Sequence, residues 1–129
     1  MGATALVSLD IEKGRAVVRA LDEAGLDVRA ASWLLVAEVS GWRLVLAMPL
    51  VDRKGERAGY QAIQKVLARQ PATLDVLWHQ ISVVGLKDPL YRLLRRVART
   101  GRRAVADIRF SDHIGDDVFV EDGYIYRSS

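Results

Sequence analysis

The feature that most constrains the fold of this chain is a pair of β-rich runs, over residues 31–48, that are apolar on both faces. Because side chains alternate across a strand, Trp33 and Leu35 lie on one face, whereas Leu34 and Val36 lie on the other. A strand pair with two apolar faces is covered on both sides, or its second face meets a partner. The sequence leaves both alternatives open.

The same two runs surround Ser40-Gly41, which predicts a two-residue hairpin loop. Counting outward from that loop places Val39 opposite Trp42 and Trp33 opposite Met48. The register therefore predicts one wholly apolar ribbon face that carries both tryptophans.

Three segments have the apolar spacing of amphipathic helices. The first covers about residues 10–25 and ends at a glycine, although residues 3–9 before it also suit a short strand. The second covers residues 56–70 and is closed by a proline. The third begins at Asp88-Pro89, an N-cap followed by proline, and is expected to run through residues 89–101.

The side-chain pattern in the last part of the chain predicts β-structure. Ile81–Val84 reads as a short buried strand, and residues 104–110 alternate between apolar and polar side chains. Residues 118–127 bracket Asp122-Gly123, a strong hairpin signal. We therefore expect a C-terminal β-meander of three antiparallel strands.

Length and composition indicate one globular domain over residues 1–129. Half of the residues are hydrophobic and 27% are charged, and no repeat or linker divides the chain. The absence of cysteine excludes disulfides and thiolate metal sites. We predict an α+β fold with a mainly antiparallel sheet, and about three helices packed on one of its faces.

The chain shows no targeting or membrane segment by pattern. Its first residues lack the basic flank and the apolar stretch of a secretory signal, and the longest apolar run, residues 44–51, contains Pro49. That run is far shorter than the roughly 20 residues of a membrane helix. We expect a cytoplasmic protein without membrane contact.

The charge is concentrated in one stretch. Residues 87–103 carry seven cations and one anion, a net charge of +6, whereas the rest of the chain has a net charge of −3. Fifteen of the nineteen basic residues are arginine, an excess that GC-rich coding, typical of a bacterial-like composition, also gives. The candidate binding residues on this basic face are Arg92, Arg95, Arg96, Arg99, Arg102 and Arg103. Such a helical face suits phosphates or an acidic protein, but it is also typical of a solvated helix surface.

A second candidate is the acidic stretch at residues 111–117. Asp112, His113, Asp116 and Asp117 are residue types that bind divalent cations or transfer protons. Their spacing matches no calcium loop, and the composition is also that of a tight turn, so we interpret the stretch as a turn without metal. The sequence leaves open whether His113 meets His79, the other histidine.

No nucleophile elbow, phosphate loop, dinucleotide fingerprint or zinc motif is present. The sequence therefore favours a small non-catalytic binding or accessory subunit without a cofactor, which acts through protein contacts with a partner or with itself. The alternative is a nucleic-acid-binding protein that uses the basic helix from Leu90 to Arg103. A third interpretation is a metal-dependent hydrolase or nuclease built on the acidic stretch.

Overall fold

A computed structural model of the chain describes residues 6–37, 39, 41–72, 78–115 and 117–129. The helices within these ranges are α1 (Ser8–Glu23), α2 (Pro49–Lys54), α3 (Glu56–Leu67) and α4 (Pro89–Val97), with a 3-10 helix at Trp78–Gln80. The strands are β1 (Ala30–Val36), β2 (Arg43–Ala47), β3 (Ile81–Val84), β4 (Ile108–Gly115) and β5 (Val118–Ser128). Among the helices described, none combines the length and the apolar character that crossing a bilayer requires.

The five strands form one mixed sheet in the order β3-β2-β1-β5-β4. Three neighbouring pairs are antiparallel, and β2 and β3 are parallel. β2 and β3 are parallel because α2 and α3 connect them. These helices carry the chain from the end of β2 back to the side of the sheet where β2 began, and β3 then runs in the same direction. The predicted α+β class is confirmed, with a sheet that is mainly but not wholly antiparallel.

The hairpin β1–β2 is confirmed, but its predicted register and loop are wrong. Trp33 pairs with Leu44 rather than Met48, a displacement of four residues, and residues 37–42 separate the two strands, of which Glu38 and Ser40 lie outside the described residues. Tertiary contacts hold both ends: the amide of Ala37 donates to Phe119 in β5, and that of Met48 donates to Val84 in β3. An even displacement keeps every side chain on its predicted face.

Helices cover both faces of the sheet, so the expectation that all helices lie on one face is wrong. On one face, Trp33 and Leu44 pack with Leu21 of α1 and with α3. On the other face, Leu34 packs with Leu94 of α4. The two apolar faces of β1 and β2 are therefore covered within the chain, whereas Val39 in the connection between these strands is 47% exposed.

The observed α4 is shorter than the predicted basic helix. Its start is as predicted, because the Asp88 side chain accepts a hydrogen bond from the amide of Leu90 at 2.9 Å. It ends at Val97, and the backbone then becomes extended, with the Thr100 amide donating to the Ser128 carbonyl at 2.8 Å. This contact with the last strand decides where the helix stops.

The C-terminal segment forms two antiparallel strands, and the third antiparallel strand beside them is β1. The predicted turn at Asp122-Gly123 is wrong, because both residues lie within β5. A Cβ atom on Gly123 would lie 2.2 Å from Cε1 of Phe110, so this glycine permits a close approach inside the sheet rather than a turn. The chain reverses between Gly115 and Val118 instead.

Candidate functional site

The six candidate arginines follow one another along the chain, but not on one helix. Arg92, Arg95 and Arg96 lie on α4, Arg99 lies in the extended segment after it, and Arg102 and Arg103 lie in the turn that follows. All are exposed except Arg95, which is half-buried with its guanidinium 5.8 Å from the centre of the Tyr91 ring. We call the outer side of α4 together with residues 98–103 the arginine surface. The prediction of a single helical face over 90–103 is therefore wrong in its geometry.

The arginines of α4 also make contacts within the chain. Arg92 and Arg96 interact with other groups of the protein, and the hydroxyl of Tyr91, beneath Arg95, donates to the Ser129 carbonyl. By contrast, Arg99 and Arg103 form no ion pair within the part of the chain that the structure describes. These two guanidinium groups are therefore the most accessible to a ligand.

The end of the arginine surface borders a cleft of about 280 Å³ between the α1–β1 loop, residues 24–29, and the turn at residues 101–104. The residues that line it are Asp22, Gly25, Leu26, Asp27, Val28, Arg102, Arg103 and Arg127.

Arg127 forms the buried wall of this cleft. Its side chain is 1% exposed, and it makes a two-pronged ion pair with Asp22 at 2.7 and 2.9 Å. It also donates to the carbonyls of Val28 and Ala104, so it fastens α1, the α1–β1 loop and the segment before β4 to the last strand. Sequence reasoning missed Arg127, and no local pattern signals it, because its partners Asp22 and Val28 lie 105 and 99 residues away in sequence.

The remaining charges of the cleft are not balanced. Asp27 accepts a hydrogen bond from Nε of Arg29 at 2.9 Å, which holds the pKa of Asp27 below its usual value. Arg102 is 66% exposed and reaches both oxygens of Asp27 only at 3.5 Å. The side chains that line the cleft carry three positive and two negative charges, a net charge of +1, and Arg29, which pairs with Asp27 beside the cleft, raises the local net charge to +2.

The acidic stretch is mainly part of β4. His113 places Nδ1 at 3.0 Å from the Ser111 carbonyl, and its ring packs edge-to-face on Phe110, so the imidazole is already engaged. Asp112 and Asp117 both have positive φ angles, but residues 111–115 belong to β4 and the chain reverses only between Gly115 and Val118, so the turn interpretation is wrong for most of the stretch. Asp116 lies outside the described residues. Among the residues described, no three carboxylates or imidazoles come together as a cation site.

The two histidines do not meet. His79 lies just before β3 at one edge of the sheet, and His113 lies in β4 at the opposite edge. Four strand spacings separate these edges, a distance of about 19 Å. A site built on both imidazoles is therefore excluded.

A second polar cluster, absent from the sequence predictions, joins α1 to β5. The guanidinium of Arg15 contacts Glu12, Asp107 and the hydroxyl of Tyr124, which itself donates to Asp107. Burial raises the pKa of Tyr124, and its hydrogen bond to Asp107 raises it further. These contacts link three segments of the fold, so we assign the cluster a structural role.

Comparison of the chain with known protein families, curated proteins and solved structures gives no significant match. Functional arguments therefore depend on the charges and contacts described above.

Proposed function

We propose that this chain is a nucleic-acid-binding protein without catalytic activity that contacts backbone phosphates through the arginine surface. The observation that supports this proposal is the separation of charge: residues 87–103 have a net charge of +6 and the rest of the chain −3. Five of the six candidate arginines are exposed. The planar guanidinium group of arginine can donate two parallel hydrogen bonds to phosphate oxygens.

The arginine surface has the length to contact several phosphates. The nine residues of α4 extend over about 14 Å, and the six residues after it add at most about 20 Å. Phosphates of one strand follow one another every ~3.4 Å along a duplex. Tyr91 is the one aromatic residue in 87–103, and it is 6% exposed, so the surface offers no ring on which bases would stack. Binding is therefore expected to depend on phosphates rather than on base sequence.

Salt is expected to weaken this binding steeply. If about four phosphates are contacted, the affinity for a duplex of about 20 base pairs falls ~150-fold between about 50 and 200 mM salt. Fluorescence anisotropy with two duplexes of unrelated sequence measures this slope, and the two duplexes should give similar values.

The matched variants use arginines whose replacement leaves the ion pairs of the fold intact. Arg99→Glu with Arg103→Glu is expected to abolish binding at about 100 mM salt, because it reverses two accessible charges on the surface. Arg53→Glu with Arg57→Glu changes the net charge equally on exposed positions of α2 and α3. Equal loss in both double variants, or no binding by the unaltered protein at low salt, would contradict the proposal.

The accessory-subunit function remains a second proposal, supported by a different surface. Ile114 is 77% exposed on the edge strand β4, and residues 107–127 carry six acidic and two basic side chains. An acidic hairpin with an exposed apolar side chain complements the arginine surface of a second copy, which points to self-association.

This second proposal predicts a concentration-dependent dimer of the protein alone. Sedimentation velocity should show the dimer at low salt and its loss in Ile114→Lys, because a lysine removes the apolar contact and adds charge of the wrong sign. Val39→Lys, at another exposed apolar residue, is the control and should still dimerise. A monomer at every concentration tested would count against protein contacts through this hairpin.

A further inference from the structure

We infer that the cleft between the α1–β1 loop and the turn at residues 101–104 binds a phosphomonoester group, with Arg102 and Arg103 as its ligands. This inference rests on the proposed function, because the cleft lies at the end of the arginine surface and would receive the terminal phosphate of a bound polynucleotide. Arg103 forms no ion pair among the described residues, and the contact of Arg102 with Asp27 is long, at 3.5 Å. Both guanidinium groups line the cleft.

The wall of the cleft is rigid before any ligand arrives. Arg127 is 1% exposed and is fixed by two bonds to Asp22 and two to backbone carbonyls. A charged side chain held in this way keeps its position when a ligand binds beside it. The structural pair Arg127–Asp22 therefore shapes the cleft without supplying its net charge.

The charge of the cleft suits a phosphomonoester better than a phosphodiester. With Arg29 counted, the local net charge is +2, and the C-terminal end of α1 beside the cleft offsets this by about half a charge. A phosphomonoester carries about −1.5 to −2 at neutral pH, whereas a backbone phosphodiester carries a single charge. Charge matching therefore favours the end of a chain over its interior.

The size of the cleft points the same way. A volume of about 280 Å³ lies near the lower end of the range for small-molecule sites, roughly 300–1,000 Å³, and suits a group of the size of a phosphate with its sugar. The terminal phosphate of a strand and its sugar therefore match the cleft in size.

Asp27 competes with the ligand for Arg102. Both of its oxygens lie at 3.5 Å from Nη2 of Arg102, while its shorter bond, at 2.9 Å, goes to Arg29. When a phosphate group binds Arg102, Asp27 keeps its shorter hydrogen bond to Arg29. Neutralising Asp27 should therefore strengthen phosphate binding.

The experiment compares two single strands of about 12 nucleotides that are identical except for a phosphate or a hydroxyl at the 5′ end, each labelled at the 3′ end. Anisotropy at about 150 mM salt, where exposed backbone contacts are screened, should show roughly tenfold tighter binding of the phosphorylated strand. The double variant Arg102→Gln with Arg103→Gln should remove this preference. By contrast, Arg99→Gln should lower the affinity for both strands by the same factor. Because these positions are exposed, the far-ultraviolet circular dichroism of the variants is expected to match that of the unaltered protein.

Two further experiments test the role of Asp27 and the source of the bound phosphate. Asp27→Asn should increase the preference for the phosphorylated strand several-fold, compared with Glu56→Gln on α3, which removes the same charge elsewhere. Inorganic phosphate is then titrated into isotope-labelled protein while the amide resonances of Gly25, Asp27 and Arg103 are followed. Shifts there with equal binding of both strands would support the cleft as a site for a small free phosphate compound.

Failure of the inference and failure of the proposed function give different results. Equal binding of both strands without phosphate-induced shifts would overturn the cleft as a phosphomonoester site and leave the arginine surface standing. Phosphate-induced shifts without strand binding at low salt would remove the proposed function and retain the cleft.

Discussion

Replacing Arg127 by methionine should lower the free energy of unfolding by about 3 kcal/mol, the low end of the cost of breaking a buried ion pair. Methionine keeps most of the volume of the arginine stem, so loss of packing is not the main cause. The variant leaves the Asp22 carboxylate, whose side chain is 24% exposed, without its partner. It also removes the donors to the Val28 and Ala104 carbonyls, which are 99 and 23 residues away in sequence.

The measurement is urea unfolding followed by tryptophan fluorescence, with the stability difference taken from the midpoints at an unchanged slope. Arg109→Met is the matched control, because Arg109 makes a similar two-pronged pair with Asp122 at 2.6 and 3.0 Å. Its side chain is 50% exposed, so its loss should cost less than about 1 kcal/mol. Equal costs for the two variants would show that Arg127 does not hold the segments together.

Gly14→Ala should destabilise the protein by about 2 kcal/mol, although helix propensity alone predicts a gain of roughly 0.5–1 kcal/mol. Gly14 lies inside α1, where a Cβ atom would come within 2.4 Å of Oη of Tyr126 and 2.6 Å of Nε1 of Trp33. Both aromatic side chains are fully buried. The added methyl group would also displace the Tyr126 hydroxyl, which accepts from Trp33 at 3.0 Å and donates to the Ile11 carbonyl at 2.6 Å.

Thermal and urea unfolding of Gly14→Ala should therefore agree on a loss of stability. Gly101→Ala is the control, because the nearest atom to its added Cβ, in Ala104, is 4.0 Å away, and we expect a change within about 0.5 kcal/mol. A stabilised Gly14→Ala variant would mean that helix propensity outweighs the contact of α1 with the sheet.

The faces of the ribbon were predictable, but its register was not. Side-chain alternation has a period of two, so an even displacement moved the partner of Trp33 from Met48 to Leu44 without moving it to another face. The pattern near Ser40-Gly41 says nothing about Phe119 and Val84, which bond to the two ends of the hairpin from other strands. Local turn preference is a weaker constraint than these contacts.

Two glycines have a packing role that the local sequence does not reveal. At Gly14 the sequence indicates a weakened helix, and at Gly123 it indicates a turn. The structure has a close aromatic neighbour at each position: Tyr126 and Trp33 at the first, Phe110 at the second. A missing side chain is visible in the sequence, whereas the atom that needs the space comes from a distant segment.

The candidate site was predictable only in part. The concentration of arginine in residues 87–103 is a property of the sequence, and so is its imbalance against the rest of the chain. The cleft is not, because Arg127 and Asp22 are 105 residues apart and Arg102 and Asp27 are 75 residues apart. Ion pairs between such distant residues have no signature in local composition.

The sequence by itself determined the α+β class, the apolar faces of the ribbon, the start of α4 and the basic stretch, because each depends on local periodicity, capping or composition. Only the tertiary structure decided the strand order, the end of α4 at Val97, the helix on each face of the sheet and the cleft beside Arg127. These features depend on contacts between residues far apart in the chain, and their free energy exists only once the sheet has brought those residues together.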